Sequence, residues 1–256
     1  MANKAVHLPV VGGFGSTLRK DNWWVGPAIT FLVLSSFIVY ATYRAFENKY
    51  YSFGEYLSPL YSPLFDTSKL GLPLTPAMLI LPFPGAFRFT CYYYRKAYYR
   101  SFAMSPPACA VGGRGGDYNG ERKLLVFQNL HRYALYFALL FLVFLWHDFY
   151  KGLWFATPGG GMHLGFGGGS LMLLLNCTFL SLYTCSCHSF RHLVGGGIDS
   201  YSEAPLGALR HKLWGWVSKI NINHMAFAWI SLFGVALTDL YIRMVASGAI
   251  TDFRVF

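Results

Sequence analysis

Leu182-Tyr-Thr-Cys185-Ser-Cys187-His188-Ser-Phe-Arg191-His192 closes an apolar run that begins near residue 162. Two cysteines and two histidines therefore fall on the last turns of a segment long enough to cross a bilayer. On a helix Cys185, His188 and His192 follow i, i+3, i+7 and share a face, while Cys187 points elsewhere. Thiol and imidazole on one face suit a transition metal or an iron–sulfur cluster, with Cys185 and His188 as the metal ligands of that face. The plainer reading is also open: buried cysteines pack as small hydrophobes and histidines cap a helix end.

Composition places this stretch in a membrane. Of 256 residues, 54% are hydrophobic, 19% aromatic and only 12% charged, and the mean hydropathy is +0.37. A soluble domain carries about 25% charged residues. The net charge of +10 does not point to nucleic acid, because the basic residues flank apolar spans. Five cysteines without regular spacing do not read as a disulfide framework. No cleavable signal is expected, since the first apolar run is too long and follows a polar, glycine-rich lead of 22 residues carrying Lys4, His7, Arg19 and Lys20.

Five spans follow, making one all-α transmembrane domain over residues 1–256. The first, 23–46, opens with Trp23 and Trp24 as an interfacial belt. The loop 47–73, rich in Tyr and Pro, is expected on the outer surface. The second span, 74–101, carries Pro82 and Pro84-Gly85, which kink or break it. Arg88, Cys91 and Arg95 recur on one of its faces at i, i+3, i+7, which suits either a basic membrane edge or a pocket for a quinone head group. The loop 102–124 contains Gly112-Gly113-Arg114-Gly115-Gly116 and Cys109, but it lacks the Lys-Ser/Thr element of a phosphate-binding loop.

The third span, 126–155, carries His131 near one end and His147 near the other, about 24 Å apart at 1.5 Å per residue. The fourth, 162–193, opens with His163 and Gly165-Phe-Gly167-Gly-Gly169, a small-residue run that permits close packing. His147 and His163, joined by a short turn, are expected as a hydrogen-bonded pair or a second cofactor site. The amphipathic stretch Arg210-His211-Lys212-Leu-Trp214-Gly-Trp216 is expected on the membrane surface. The fifth span, 220–246, carries His224 near its start and a salt bridge, Asp239 to Arg243. Three segments expected on the inner side hold 15 of the 21 basic residues, so the N-terminus is cytoplasmic and the C-terminus outside.

This topology brings Cys91, His131, Cys185, Cys187, His188, His192 and His224 to one depth. Ligand-type residues inside spans are expensive and mark function. Haem b held by His131 with His188 or His224 fits. So does a Rieske-like [2Fe–2S] centre, which needs two cysteines and two histidines. The Rieske pattern of Cys-x-His with Cys-x-x-His is not met, and only Cys185-x-x-His188 echoes half of it. The cysteines favour the mixed centre, drawn from Cys91 or Cys187, Cys185, His188 and one of His131 or His224. Arg88, Tyr93, Arg95, Tyr99, Arg132, Trp214 and Trp216 are the expected quinone contacts.

Phe87-Arg88-Phe-Thr-Cys91-Tyr-Tyr-Tyr-Arg95-Lys96, Asn129-Leu-His131-Arg132-Tyr and Asn223-His224-Met sit in a five-span chain that resembles the cytochrome-b-type membrane anchor of actinobacterial succinate dehydrogenases. The resemblance implies a multi-pass plasma-membrane protein on which a flavoprotein and an iron–sulfur subunit dock at the cytoplasmic face, with room for another small anchor. Succinate would be oxidised on those partners and electrons passed to menaquinone, with no substrate chemistry in this chain. Five-helix relatives with two haems draw histidines from early spans. The first two spans here hold none, which favours one haem or another centre. Two other classes stay open: a haem-b subunit of a nitrate-reductase or heterodisulfide-reductase type complex, and a passive anchor or transporter.

Overall fold

The structure, a computed structural model, describes residues 12–67, 71, 73–113, 129–157 and 159–255. Lys4, His7, Arg114 to Gly116, Arg122, Lys123, Pro158 and the opening of the third expected span at 126–128 lie outside the described residues.

Among the described residues four helices are long and apolar enough to cross a membrane: α1 Val25–Glu47, α5 His131–Lys151, α6 Gly168–Cys185 and α9 His224–Ala246. Each falls on an expected span; α5 and α6 are shorter than expected at both ends, α9 starts later, and α1 starts later and runs one residue further. The second expected span is not one helix. It divides into α2 Pro76–Ile80, α3 Pro82–Thr90 and α4 Tyr92–Tyr98, followed by a π turn at Tyr99–Ala103. Pro82 has no N–H to give, yet Leu81 keeps helical angles (φ −57°, ψ −29°), so the backbone remains helical across this point. The sharper interruption is at Cys91, which is extended (φ −62°, ψ 130°) and which no proline announces. The fourth span is likewise cut short. Its helix ends at Cys185, Cys187 is extended, and a short helix α7, His188–Arg191, runs into a second π turn at His192–Gly196. The surface stretch is α8, Gly207–Asn221.

Helix α6 lies between α5 and α9, and α3 packs on α5. Close approach at one end of α6 depends on glycine: a Cβ on Gly169 would lie 2.3 Å from the Tyr56 ring, and one on Gly168 would lie 2.0 Å from the Tyr241 hydroxyl. The run 165–169 thus packs closely, as its composition predicts.

The loop after α1 does not simply cover the surface. Strands β1 Ser52–Phe53 and β2 Tyr56–Leu57 form a hairpin, and a 3-10 turn follows at Pro59–Tyr61. Leu60 and Tyr61 are buried in the bundle end, where Tyr61 stacks on Tyr51 at 4.3 Å. The physical reason is polar as well as apolar. Asp239, fully buried on α9, accepts from Tyr40 Oη at 2.6 Å, from Arg243 Nε at 2.8 Å and from the Ser58 hydroxyl. Arg243 also reaches Glu47 at 3.1 Å. The expected Asp239–Arg243 salt bridge is therefore the hub that pulls the loop inward. A second hairpin, β3 Trp154–Ala156 with β4 Met162–Leu164, carries His163 away from His147. His163 Nδ1 lies 3.0 Å from Thr157 Oγ1, whereas His147 Nδ1 lies 3.7 Å from Asp148 Oδ1, so the expected histidine pair does not form.

Candidate functional site

At the opposite end of the bundle two short sequences perform the same task. Thr90-Cys91 ends α3 and Ser186-Cys187 follows α6. Each cysteine is extended and donates its amide to the carbonyl three residues back, Cys91 to Arg88 at 3.2 Å and Cys187 to Thr184 at 3.3 Å. Each offers its own carbonyl to an amide four residues on, from Arg95 and Arg191 at 2.9 Å, and so starts a short helix that ends in a π turn. The break that defeats a helical-face reading of this region is thus the device that turns two thiols inward. Cys91 and Cys187 are both 2% exposed.

Each dipeptide holds both histidines. Thr90 Oγ1 meets His131 Nδ1 at 2.8 Å, and Cys91 Sγ meets His224 Nε2 at 3.5 Å. In reciprocal fashion Ser186 Oγ meets His224 Nδ1 at 2.8 Å, and Cys187 Sγ meets His131 Nε2 at 3.0 Å. The hydroxyl network assigns the tautomers. Thr90 donates to Ala86 O at 2.7 Å and Ser186 to Tyr183 O at 3.2 Å, so each oxygen receives an Nδ1–H from its histidine. Both imidazoles then turn an unprotonated Nε2 toward a thiol, the form in which histidine binds a metal while its other nitrogen is held by an outer partner. Rings fix the planes: His131 stacks on Phe87 at 4.8 Å, His224 on Tyr183 at 5.1 Å, and Phe87 meets Tyr183 edge-on at 5.3 Å.

Among the described residues no group of three or more His, Cys, Asp or Glu side chains is arranged around a single metal ion. The four donors form two thiol–imidazole pairs instead. A binuclear cluster with two protein ligands per iron asks for four such donors, two sulfur and two nitrogen. The Tyr183 hydroxyl is buried here against the Cys91 thiol, which places a phenol on the sulfur side of the site. On donor chemistry the site fits a [2Fe–2S] group better than a haem, which would leave both thiols idle.

The expected Cys185–His188–His192 face does not form, because the helix ends before His188. Cys185 is half-buried on the last turn of α6 and His188 is exposed. His188 and His192 instead line a 340 Å³ pocket with Asn129, Arg132 and Ser189. The seven expected quinone contacts are spread over several places. Arg88 lies inside the bundle, donating to Tyr94 Oη at 2.5 Å, Ala228 O at 3.1 Å and Ser231 Oγ at 3.0 Å. Tyr93 accepts from Trp229 Nε1 at 2.5 Å. Arg95 and Tyr99 line a 280 Å³ basic pocket with Lys96 and Arg100. Arg132 lies in the pocket beside His188. Arg191 sits over the Trp214 ring at 4.8 Å, and Trp216 is exposed. A separate apolar cavity of 260 Å³ runs from Phe87, Arg88 and Tyr183 to Leu145 and Leu60. Sequence reasoning missed Thr90, Ser186, Phe87 and Tyr183; the recurrence of a hydroxyl residue before a cysteine in both segments was the available signal.

The family model described as actinobacterial succinate dehydrogenase subunit SdhC matches residues 25–248. Among solved structures, a chain of the Mycobacterium smegmatis Sdh1 complex in the apo form is similar at 42% identity and a TM-score of 0.84, over 98% of this chain and 99% of that one. The comparison with curated proteins finds no match.

Proposed function

The chain belongs to the actinobacterial succinate dehydrogenase SdhC family, and from that membership we propose that it carries electrons from an iron–sulfur partner subunit to menaquinone through a [2Fe–2S] centre held by Cys91, Cys187, His131 and His224. The observation that carries this reading is the reciprocal arrangement in which Thr90-Cys91 and Ser186-Cys187 each grip both histidines. Bound there, the cluster supplies one-electron transfer at a potential raised above that of an all-cysteine cluster.

The chain's own residues do the rest. Thr90 and Ser186 keep both Nδ1 atoms protonated and both Nε2 lone pairs free. Phe87, Tyr94 and Tyr183 exclude water from the sulfur side. Menaquinone takes two electrons and two protons to become the quinol. Its head group occupies the pocket of Asn129, Arg132, His188, Ser189 and His192, which adjoins the cluster because Arg132 follows His131 and His188 follows Cys187. His188 and His192 hand over protons there, and Arg132 steadies developing negative charge. Tyr93, Arg95, Tyr99, Trp214 and Trp216 form the surrounding basic and aromatic rim that meets the partner subunits and lipid head groups.

In the plasma membrane, α2 to α4 serve together as a second crossing beside the four long helices. That gives five crossings with the N-terminus in the cytoplasm, supported by the Lys and Arg bias. A flavoprotein and the iron–sulfur subunit dock on the cytoplasmic face, where dicarboxylate chemistry takes place.

Iron and acid-labile sulfide in the purified complex test the ligand set. Cys187→Ser loses the cluster attributed to this chain while Cys185→Ser keeps it. The reverse pattern, or loss of neither, overturns the assignment.

A further inference from the structure

Arg88, partly buried on α3, differs from Arg44 and Arg243, the two arginines that meet carboxylates at the other end of the bundle. Arg44 pairs with Glu47 at 2.6 Å, and Arg243 pairs with Asp239 at 2.8 Å and Glu47 at 3.1 Å. Arg88 has no carboxylate partner among the described residues. Its guanidinium is held by neutral acceptors alone, Tyr94 Oη, Ala228 O and Ser231 Oγ, and by the faces of Tyr94 and Tyr183 at 5.4 and 4.8 Å. An unpaired cation inside a membrane bundle is costly and persists where function uses it. The Tyr183 ring that carries this charge on one contact stacks on His224 at 5.1 Å on another. Arg88 also accepts the Cys91 amide through its carbonyl, so backbone and side chain both tie it to the site.

Resting on the cluster reading above, we propose that Arg88 is a positioning residue that supplies the counter-charge for the electron held at the Cys/His centre. The charge count is elementary. Two ferric irons, two sulfides, two thiolates and two neutral imidazoles sum to zero, and one added electron makes the centre −1. The oxidised site therefore leaves Arg88 uncompensated and the reduced site compensates it. Two ring contacts, of 4.8 and 5.1 Å, place the guanidinium within about 10 Å of the His224 ring, and for a charge at a separation of that order an effective dielectric of about 20 favours the reduced form roughly tenfold. Arg88 biases the centre toward accepting the electron. It needs no contact with quinone to do so.

The test is a redox titration of the intact complex followed by the EPR signal of the centre. Arg88→Met loses about tenfold in the reduction equilibrium, a fall of 59 mV for a one-electron couple. Arg88→Lys keeps the charge and stays within threefold of the parent. Ser231→Asp pairs the guanidinium with a carboxylate while leaving Arg88 itself in place, and lowers the potential in the same direction. A signal that persists at an unchanged potential in Arg88→Met or Ser231→Asp overturns the proposal and leaves the cluster assignment standing. A parent complex with no such signal overturns the cluster assignment itself.

Discussion

Replacing Thr90 by Val removes one hydroxyl from the site and little else, since the two side chains have nearly the same shape. Thr90 is 6% exposed, and two hydrogen bonds end on its oxygen: one to Ala86 O at 2.7 Å and one from His131 Nδ1 at 2.8 Å. After the change the His131 Nδ1–H is buried without an acceptor. Leaving such a donor unsatisfied costs about 1–3 kcal/mol. Loss of an outer partner of a ligating histidine weakens metal retention about 10–100-fold, equivalent to roughly 1.4–2.7 kcal/mol, so the two estimates agree. The assay is the loss of iron from the intact complex to a chelator, with thermal unfolding as the control for folding. Thr90→Val sheds its cluster 10–100-fold more readily and Thr90→Ser behaves as the parent. The same change at the other corner, Ser186→Ala, acts through His224 with a similar size. A Thr90→Val complex that keeps its iron as firmly as the parent would mean that the hydroxyl does not set a ligand's tautomer.

Asp239→Asn removes the charge that faces Arg243 in a fully buried place and lowers stability by about 3–5 kcal/mol, read as a fall in melting temperature in detergent. Gly169→Ala drives a methyl into the Tyr56 ring 2.3 Å away and costs about 1–3 kcal/mol in the same measurement. Tyr56→Phe gives up the bonds to Asp252 at 3.0 Å and Ser170 at 3.2 Å for about 1–2 kcal/mol in total. Burial pushes the Tyr56 phenol up to about 12 from its ordinary 10.0, so this contribution is complete below pH 10 and fades as pH rises toward 12; stability curves of parent and variant should converge only there. His163→Ala, at the far end of the bundle, leaves the iron content unchanged.

The four long helices were legible because an apolar run of about 20 residues has few alternatives in a membrane. The second span was harder. Its prolines signalled an interruption at Pro82, but the consequential break at Cys91 comes from a residue with no strong turn preference and is fixed by tertiary contacts. The same holds at Cys187, where periodicity carried the helix on to His192 and so selected Cys185 and His188 as a pair. Cys91, Cys187, His131 and His224 were all within reach of the sequence as candidates. Their grouping was not, because it depends on two non-helical residues whose angles only the folded bundle imposes. The inward course of residues 51–62 was hidden for a related reason, since a loop of Tyr, Pro and Ser reads as surface until the buried carboxylates of Asp148 and Asp239 are known to need its hydroxyls.

Nitrogen hyperfine couplings in pulsed EPR of the dithionite-reduced complex read the ligands of the centre themselves. Couplings from two imidazoles on a [2Fe–2S] centre are expected, one lost in His131→Ala and the other in His224→Ala, with acid-labile sulfide accompanying the signal in the parent. A reduced complex with a b-type haem band and no sulfide attributable to this chain, or a cluster signal without imidazole nitrogen, would contradict this assignment.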